Sequence, residues 1–253
     1  MDLIEFDRYI RSVLDMDSVS GIDSSINGIQ VERKNRVINK AAFAVDACME
    51  VFEQAAQKGA DLVFVHHGLF WGKPVPVTGG MYKRISYLVE NDIALYAAHL
   101  PLDVHPDLGN NSGLAVAAGL KDLKPFGVYK GQAIGVKGVF DAPKTVEEVI
   151  SSMGFSTGEC LGVLPFGKKQ VLTAGVIAGG GTREVGQALS QGLDLYITGD
   201  VSHEVYHMCL EGGINMISCG HYNTETFGPR LMMEKVQRDT PLECFFVSAP
   251  TGL

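Results

Sequence analysis

Two adjacent histidines, His66 and His67, close the apolar run Asp61-Leu-Val-Phe-Val65, which puts a doubled imidazole where a buried strand comes out into a loop. Successive side chains on a strand point to opposite faces, so two neighbouring histidines do not share one core. Just past a strand's end the chain turns and both rings converge on one point. Two further strand ends carry donors. The run Ile93 to Ala98 leads into His99-Leu-Pro-Leu-Asp103, and Ile214 to Cys219 leads into Gly220-His221-Tyr-Asn-Thr-Glu225. His221 and Glu225 stand four residues apart, so a helix starting at Tyr222 brings them onto one face. Asp103 adds a hard anionic oxygen that bridges two ions where an imidazole does not. His66, His67, Asp103, His221 and Glu225 are therefore the candidate metal ligands, and His99 the candidate proton carrier or supporting group beside them.

Each residue alone also has an ordinary structural reading. Asp103 fits a turn with Pro101 and Pro106, His221 a core imidazole, and Glu225 a solvated first-turn helix residue. Together those readings weaken, because three loops at three strand ends all carry metal-competent donors in a chain with only seven histidines. His105, His203 and His207 read as surface or packing residues. The five cysteines, Cys48, Cys160, Cys209, Cys219 and Cys244, contain no Cys-x-x-Cys pair and read as reduced, small buried side chains.

The elements that must position these donors alternate along the chain. Residues 3 to 14 space Leu3, Ile4, Ile10, Val13 and Leu14 on one helical face, and Ala41 to Val45 forms a strand. A helix over 47 to 58 stops at Gly59 before the strand at 61 to 65. A helix over 81 to 91 leads into the strand Ile93 to Ala98. Beyond a less regular middle come a strand at 132 to 140, a helix at 145 to 153 capped by Thr145 with Glu148, and a strand at 171 to 178. Then follow a helix at 183 to 191, strands at 193 to 198 and 214 to 219, and a helix at 201 to 210 between them. Strand, helix and strand at these intervals predict an α/β protein with parallel sheets and crossover helices. Open sheets of this kind bind ligands at the carboxyl ends of their strands. Two α/β lobes are expected, a metal-binding lobe over 1–126 with 216–253 and a second over 127–215.

Composition sets further limits. The chain has 253 residues, 46% hydrophobic and 20% charged, an ordinary globular balance. A net charge of −8 argues against a protein built to grip phosphate backbones. No apolar stretch is long enough to span a bilayer and no secretory leader opens the sequence, so the expectation is a cytoplasmic protein without membrane contact.

The runs Leu62-Val-Phe-Val-His-His-Gly-Leu-Phe-Trp71, His99-Leu-Pro-Leu-Asp103 and Gly220-His-Tyr-Asn-Thr-Glu225 resemble the NIF-three-like family, also known as the GTP cyclohydrolase 1 type 2 family. Asp23-Ser-Ser-Ile-Asn-Gly-Ile-Gln-Val31, Ala178-Gly-Gly-Gly-Thr182 and Thr198-Gly-Asp-Val-Ser-His203 add to the likeness. The resemblance implies two interlocked three-layer α/β/α lobes, a homohexamer, and a dinuclear metal centre on His66, His67, Asp103, His221 and Glu225. It also implies a compact member of the family without an inserted domain.

A ligand set of imidazole and carboxylate suits two divalent ions per chain: zinc, iron, manganese, nickel or cobalt. Two such ions, about 3.5 to 4 Å apart, lower the pKa of bound water and serve hydrolysis. The family name implies that this water opens the purine ring of GTP with release of formate. The backbone N–H groups of Gly179 to Thr182 are a candidate phosphate cradle, with a tight strand-to-helix turn as the other reading. Two alternatives stand beside GTP: a metallohydrolase for another nucleotide, phosphoester or amide, and a non-enzymatic metal-binding scaffold.

Overall fold

Short apolar runs that are covered on both faces become parallel strands, and this chain has several. In chain order the strands are β1 (Gly28–Val31), β2 (Lys40–Asp46), β3 (Leu62–His67) and β4 (Ala94–Ala97), then β5 (Lys121–Tyr129), β6 (Gln132–Lys144) and β7 (Gly162–Pro165). They continue with β8 (Val171–Ile177), β9 (Leu195–Thr198), β10 (Asn215–Ser218) and β11 (Glu243–Phe246). The computed structural model describes residues 1–253, which divide into one unit of residues 1–105 with 228–249 and another of residues 106–227 with 250–253.

The first unit carries a five-stranded sheet in the order β1-β4-β3-β2-β11. The four strands from β4 to β11 are parallel, and β1 lies antiparallel on the edge. Phe43, Phe64 and Tyr96 stand in register on β2, β3 and β4. Their rings form a row, with centroids 5.1 Å apart for Phe43 and Phe64 and 5.7 Å apart for Phe64 and Tyr96. Phe6 of the helix Leu3–Val13 closes the row edge-on against Tyr96 at 5.5 Å. That helix begins with the capping box of Asp2 and Glu5. All four rings are fully buried. Phe64 lies two residues before His66, on the same side of the strand, so the row also fixes the base from which His66 projects. Phe64→Ala is expected to lower stability by roughly 3 to 5 kcal/mol, read from denaturant unfolding.

The second unit carries a six-stranded sheet in the order β5-β6-β8-β9-β10-β7. Only β8, β9 and β10 are parallel; β5 and β6 form a hairpin beside β8, and β7 runs antiparallel along β10. Its core packs Leu114 and Ala115 of the helix Asn110–Ala118 and Val149 and Ile150 of the helix Val146–Ser152 against Val176, Ile197 and Ile217. The expected capping box is present, with the Glu148 N–H donating to Thr145 Oγ1 at 3.2 Å and the Thr145 N–H donating to Glu148 at 2.7 Å.

Three differences from the sequence reading have local causes. The antiparallel strands β1, β5 and β7 lie at or near sheet edges, where partial exposure erases a continuous apolar run. The helix Asn110–Ala118 carries no apolar stripe that would mark it in the sequence, because its own buried positions are mostly small or polar: Asn110, Asn111, Ser112, Ala115 and Ala118 beside Leu114. The units also divide at residues 105 and 227 rather than at 126 and 215. The helix Asn110–Ala118 packs on the second core, and β10 is hydrogen-bonded between β9 and β7.

Candidate metal centre

The strand β3 runs through both histidines instead of ending before them. Asp46 of β2 pairs with His67, and the Ala47 N–H donates to the His67 carbonyl at 2.9 Å, which prolongs the ladder. At a strand's last residues no further backbone separates the two faces. The rings of His66 and His67 lie 4.6 Å apart between centroids, converging as the sequence predicts though not by a turn. His66 is fully buried and His67 partly so. At Gly68 the Gln30 carboxamide occupies the place that a side chain would take, and Gln30 Oε1 accepts from the Leu69 N–H at 2.6 Å.

After β4, His99 caps the single helical turn Leu100–Asp103. The Asp103 N–H donates to the His99 carbonyl at 3.2 Å, and the buried Asp103 carboxylate reaches 3.5 Å from His66 Nε2. Nitrogens of His66, His67 and His99 all lie within 4.8 Å of one another. The first unit thus gathers His66, His67, His99 and Asp103.

The second unit gathers His221 and Glu225. The residues His221–Thr224 form the helical turn, one residue earlier than expected, and His221 Nε2 lies 3.2 Å from Glu225 Oε2. Hydrogen bonding to Glu225 pushes the His221 imidazole up to about 9; burial opposes this, and the charges of Glu225 and Asp200 reinforce it. A proton held between two carboxylates is what a bound cation replaces.

The fit to a metal is decided by the other ring nitrogens. His67 Nδ1 lies 2.8 Å from Asp46, His99 Nδ1 2.8 Å from Asp23, and His221 Nδ1 2.9 Å from Asp200. His66 Nδ1 lies 3.0 Å from the carbonyl of Ala98. Each ring therefore has Nδ1 beside an oxygen acceptor, the arrangement that places a proton on Nδ1 and leaves the Nε2 lone pair to bind an ion. The residues fit divalent metal ions.

Asp23, Asp46 and Asp200 were not singled out in the sequence, although Asp46 and Asp200 stand at the carboxyl ends of β2 and β9. The rule that found His66 and His221 finds them too when carboxylates are sought as partners of histidine. Asp23 comes from the loop before β1, where its carboxylate also accepts from Asn27 Nδ2 at 2.9 Å and from the Leu100 N–H at 3.1 Å. Burial works to raise the Asp23 carboxyl, but His99, Asn27 and the Ser25 N–H outweigh it and hold it below the ordinary range.

The glycine loop after β8 serves the second half of the site differently from a phosphate cradle. The Gly179 N–H donates to Thr224 Oγ1 at 3.0 Å and the Gly181 N–H to Thr198 Oγ1 at 3.2 Å, so two of the four candidate groups are spent inside the unit. The loop leads into a 3₁₀ turn and a helix of only six residues, Val185–Ser190. His203 and His207 are exposed.

Fold and donors together describe an α/β protein with clustered imidazoles and carboxylates at strand ends. The model of the Duf34/NIF3 (NGG1p interacting factor 3) family matches residues 1–251. The chain is 38% identical to a GTP cyclohydrolase 1 type 2 homolog of Treponema pallidum, over 98% of this chain and 99% of the relative. It is 39% identical to one of Archaeoglobus fulgidus over the full length of both. The solved structure of the protein ybgI, whose function is described as unknown, superposes with a TM-score of 0.91 at 31% identity over the whole of both chains. The chain belongs to the Duf34/NIF3 family. No helix is long and apolar enough to cross a membrane.

Proposed function

We propose that this chain is a dinuclear metal-dependent hydrolase of the cytoplasm that opens the purine ring of GTP and releases formate. His66, His67, Asp103, His221 and Glu225 would hold two divalent ions. The observation that carries the reading is the common orientation of the imidazoles, with every Nδ1 on an oxygen acceptor, which makes Nε2 the nitrogen that would bind an ion. The names of the relatives support a nucleotide substrate. Bound divalent ions supply acidified water and a counter-charge for developing negative charge.

The remaining chemistry falls to the chain itself. His99, with Nδ1 on the buried Asp23 carboxylate, presents Nε2 as the group that takes or gives a proton, and Asp23 stabilises the imidazolium that results. His99→Gln is expected to keep its metal and lose turnover by roughly 10²- to 10⁴-fold, measured as kcat beside elemental analysis. Loss of metal in that variant would instead make His99 a ligand.

Purified, metal-loaded protein incubated with GTP tests the reaction through formate release and the change in purine absorbance. Neither signal, together with turnover of another nucleotide, phosphoester or amide, would replace GTP as the substrate. Asp103→Ala and Glu225→Ala are expected to lose metal and activity together. If they lose metal while cellular function persists, the protein is a scaffold. Metal well below one ion per chain after gentle purification counts against the dinuclear centre. The homohexamer is tested by light scattering, where six chain masses are expected.

A further inference from the structure

Trp71, the only tryptophan of the chain, stands beside the histidines of the first unit and has no part in the chemistry above. Its ring packs edge-on against His99, centroids 4.9 Å apart at 75°, and lies 6.0 Å from the His67 ring. The indole N–H donates to the Gly68 carbonyl at 3.0 Å, so its polar edge is spent on the chain. The segment around it is pinned. The Ile26 N–H donates to the Phe70 carbonyl at 3.0 Å, and a side chain at Gly72 would press on the Ser24 carbonyl.

A tryptophan whose task is to shield histidines from water buries itself in doing so. This one is 37% exposed, at the head of a segment, residues 71–80, that is exposed throughout. One side of the indole is held by His99 and His67 and its polar edge by Gly68, which leaves apolar ring surface facing solvent. A rigid indole held beside polar donors costs little entropy to use and binds flat π-systems well, whereas aliphatic or amide groups gain less from it.

We propose that Trp71 is the stacking platform for a planar heteroaromatic ring of the substrate, held beside the histidine cluster. This rests on the reading of that cluster as facing substrate, and it names the ring as the recognised part. Phosphates contribute no stacking. Recognition through Trp71 therefore separates guanosine from inorganic triphosphate.

Because Trp71 is the sole tryptophan, its emission reports on the platform directly. Excited at the red edge of its absorption, the wild-type protein is expected to show saturable quenching by guanosine and by GTP, and none by inorganic triphosphate. By calorimetry, W71A is expected to weaken guanosine binding about 10- to 100-fold and W71F by less than about threefold, with metal content unchanged in both. Absence of quenching by guanosine and GTP, or an equal Kd in wild type and W71A, would overturn the proposal. So would parallel loss of metal in W71A and W71F, which would make Trp71 a support for the histidines. The two readings fail separately. Trp71-dependent guanosine binding without formate from GTP sinks the ring opening and leaves the platform. Formate release with the same KM in wild type and W71A does the reverse.

Discussion

Gly179→Ala is expected to cost the protein its tight divalent metal binding, with affinity falling by at least about 100-fold, the upper end of what removing a ligand's supporting partner costs. Gly179 adopts φ +60°, a conformation in which a side chain is strained, and a methyl group there would fall on Glu225 Oε1 and 3.1 Å from His221 Nε2. The backbone has no room to retreat. The Gly179 carbonyl accepts from the N–H groups of Gly199 and Asp200 at 3.1 and 3.0 Å, and its N–H is held by Thr224 Oγ1 at 3.0 Å. The buried Glu225 carboxylate has to move instead, and with it the pair that it forms with His221. Gly180→Ala is the matched control, since its methyl group would meet Asp200 and His221 at ordinary contact distances of 3.4 and 3.7 Å. Elemental analysis after dialysis and a calorimetric titration with zinc or manganese measure both variants. Full metal retention in Gly179→Ala would remove His221 and Glu225 from the ligand set.

This loop shows where the sequence reading was incomplete. Three consecutive glycines before a helical segment are equally compatible with an anion cradle and with a backbone that must pass close to something. The residue it must pass, Glu225, lies 46 positions further on, so the close approach is a tertiary fact. Nothing local announces it. The ligand candidates were legible for the opposite reason. An apolar run followed at once by His or Asp marks a carboxyl strand end, and the position of the end in sequence is also its position in space. The parallel strands β2, β3, β4, β8, β9 and β10 were legible through the same continuous apolar runs. Edge strands such as β7, half-exposed along its length, carry no such mark. The extension of β3 through His67 likewise depends on its neighbour, because Asp46 and Ala47 at the end of the adjoining strand β2 provide the pairing.

The carboxylates behind the histidines give the second large effect. Asp46→Ala and Asp200→Ala are each expected to weaken metal binding about 10- to 100-fold without unfolding the chain. Asp46 orients His67 and Asp200 orients His221 through contacts of 2.8 and 2.9 Å to Nδ1. Both carboxylates fix which nitrogen carries the proton and make the opposite nitrogen a stronger donor. Their own side chains are 32% and 42% exposed, so truncation leaves no cavity and should change unfolding free energy by no more than about 0.5 kcal/mol. Asparagine at either place keeps an acceptor oxygen and loses the charge, so its effect should fall between wild type and alanine. His66 supplies the internal comparison. Its Nδ1 faces the carbonyl of Ala98, a backbone group that no side-chain substitution removes. If calorimetry finds the metal affinity of Asp46→Ala and Asp200→Ala unchanged, the two carboxylates are solvated neighbours of the histidines rather than the groups that aim them.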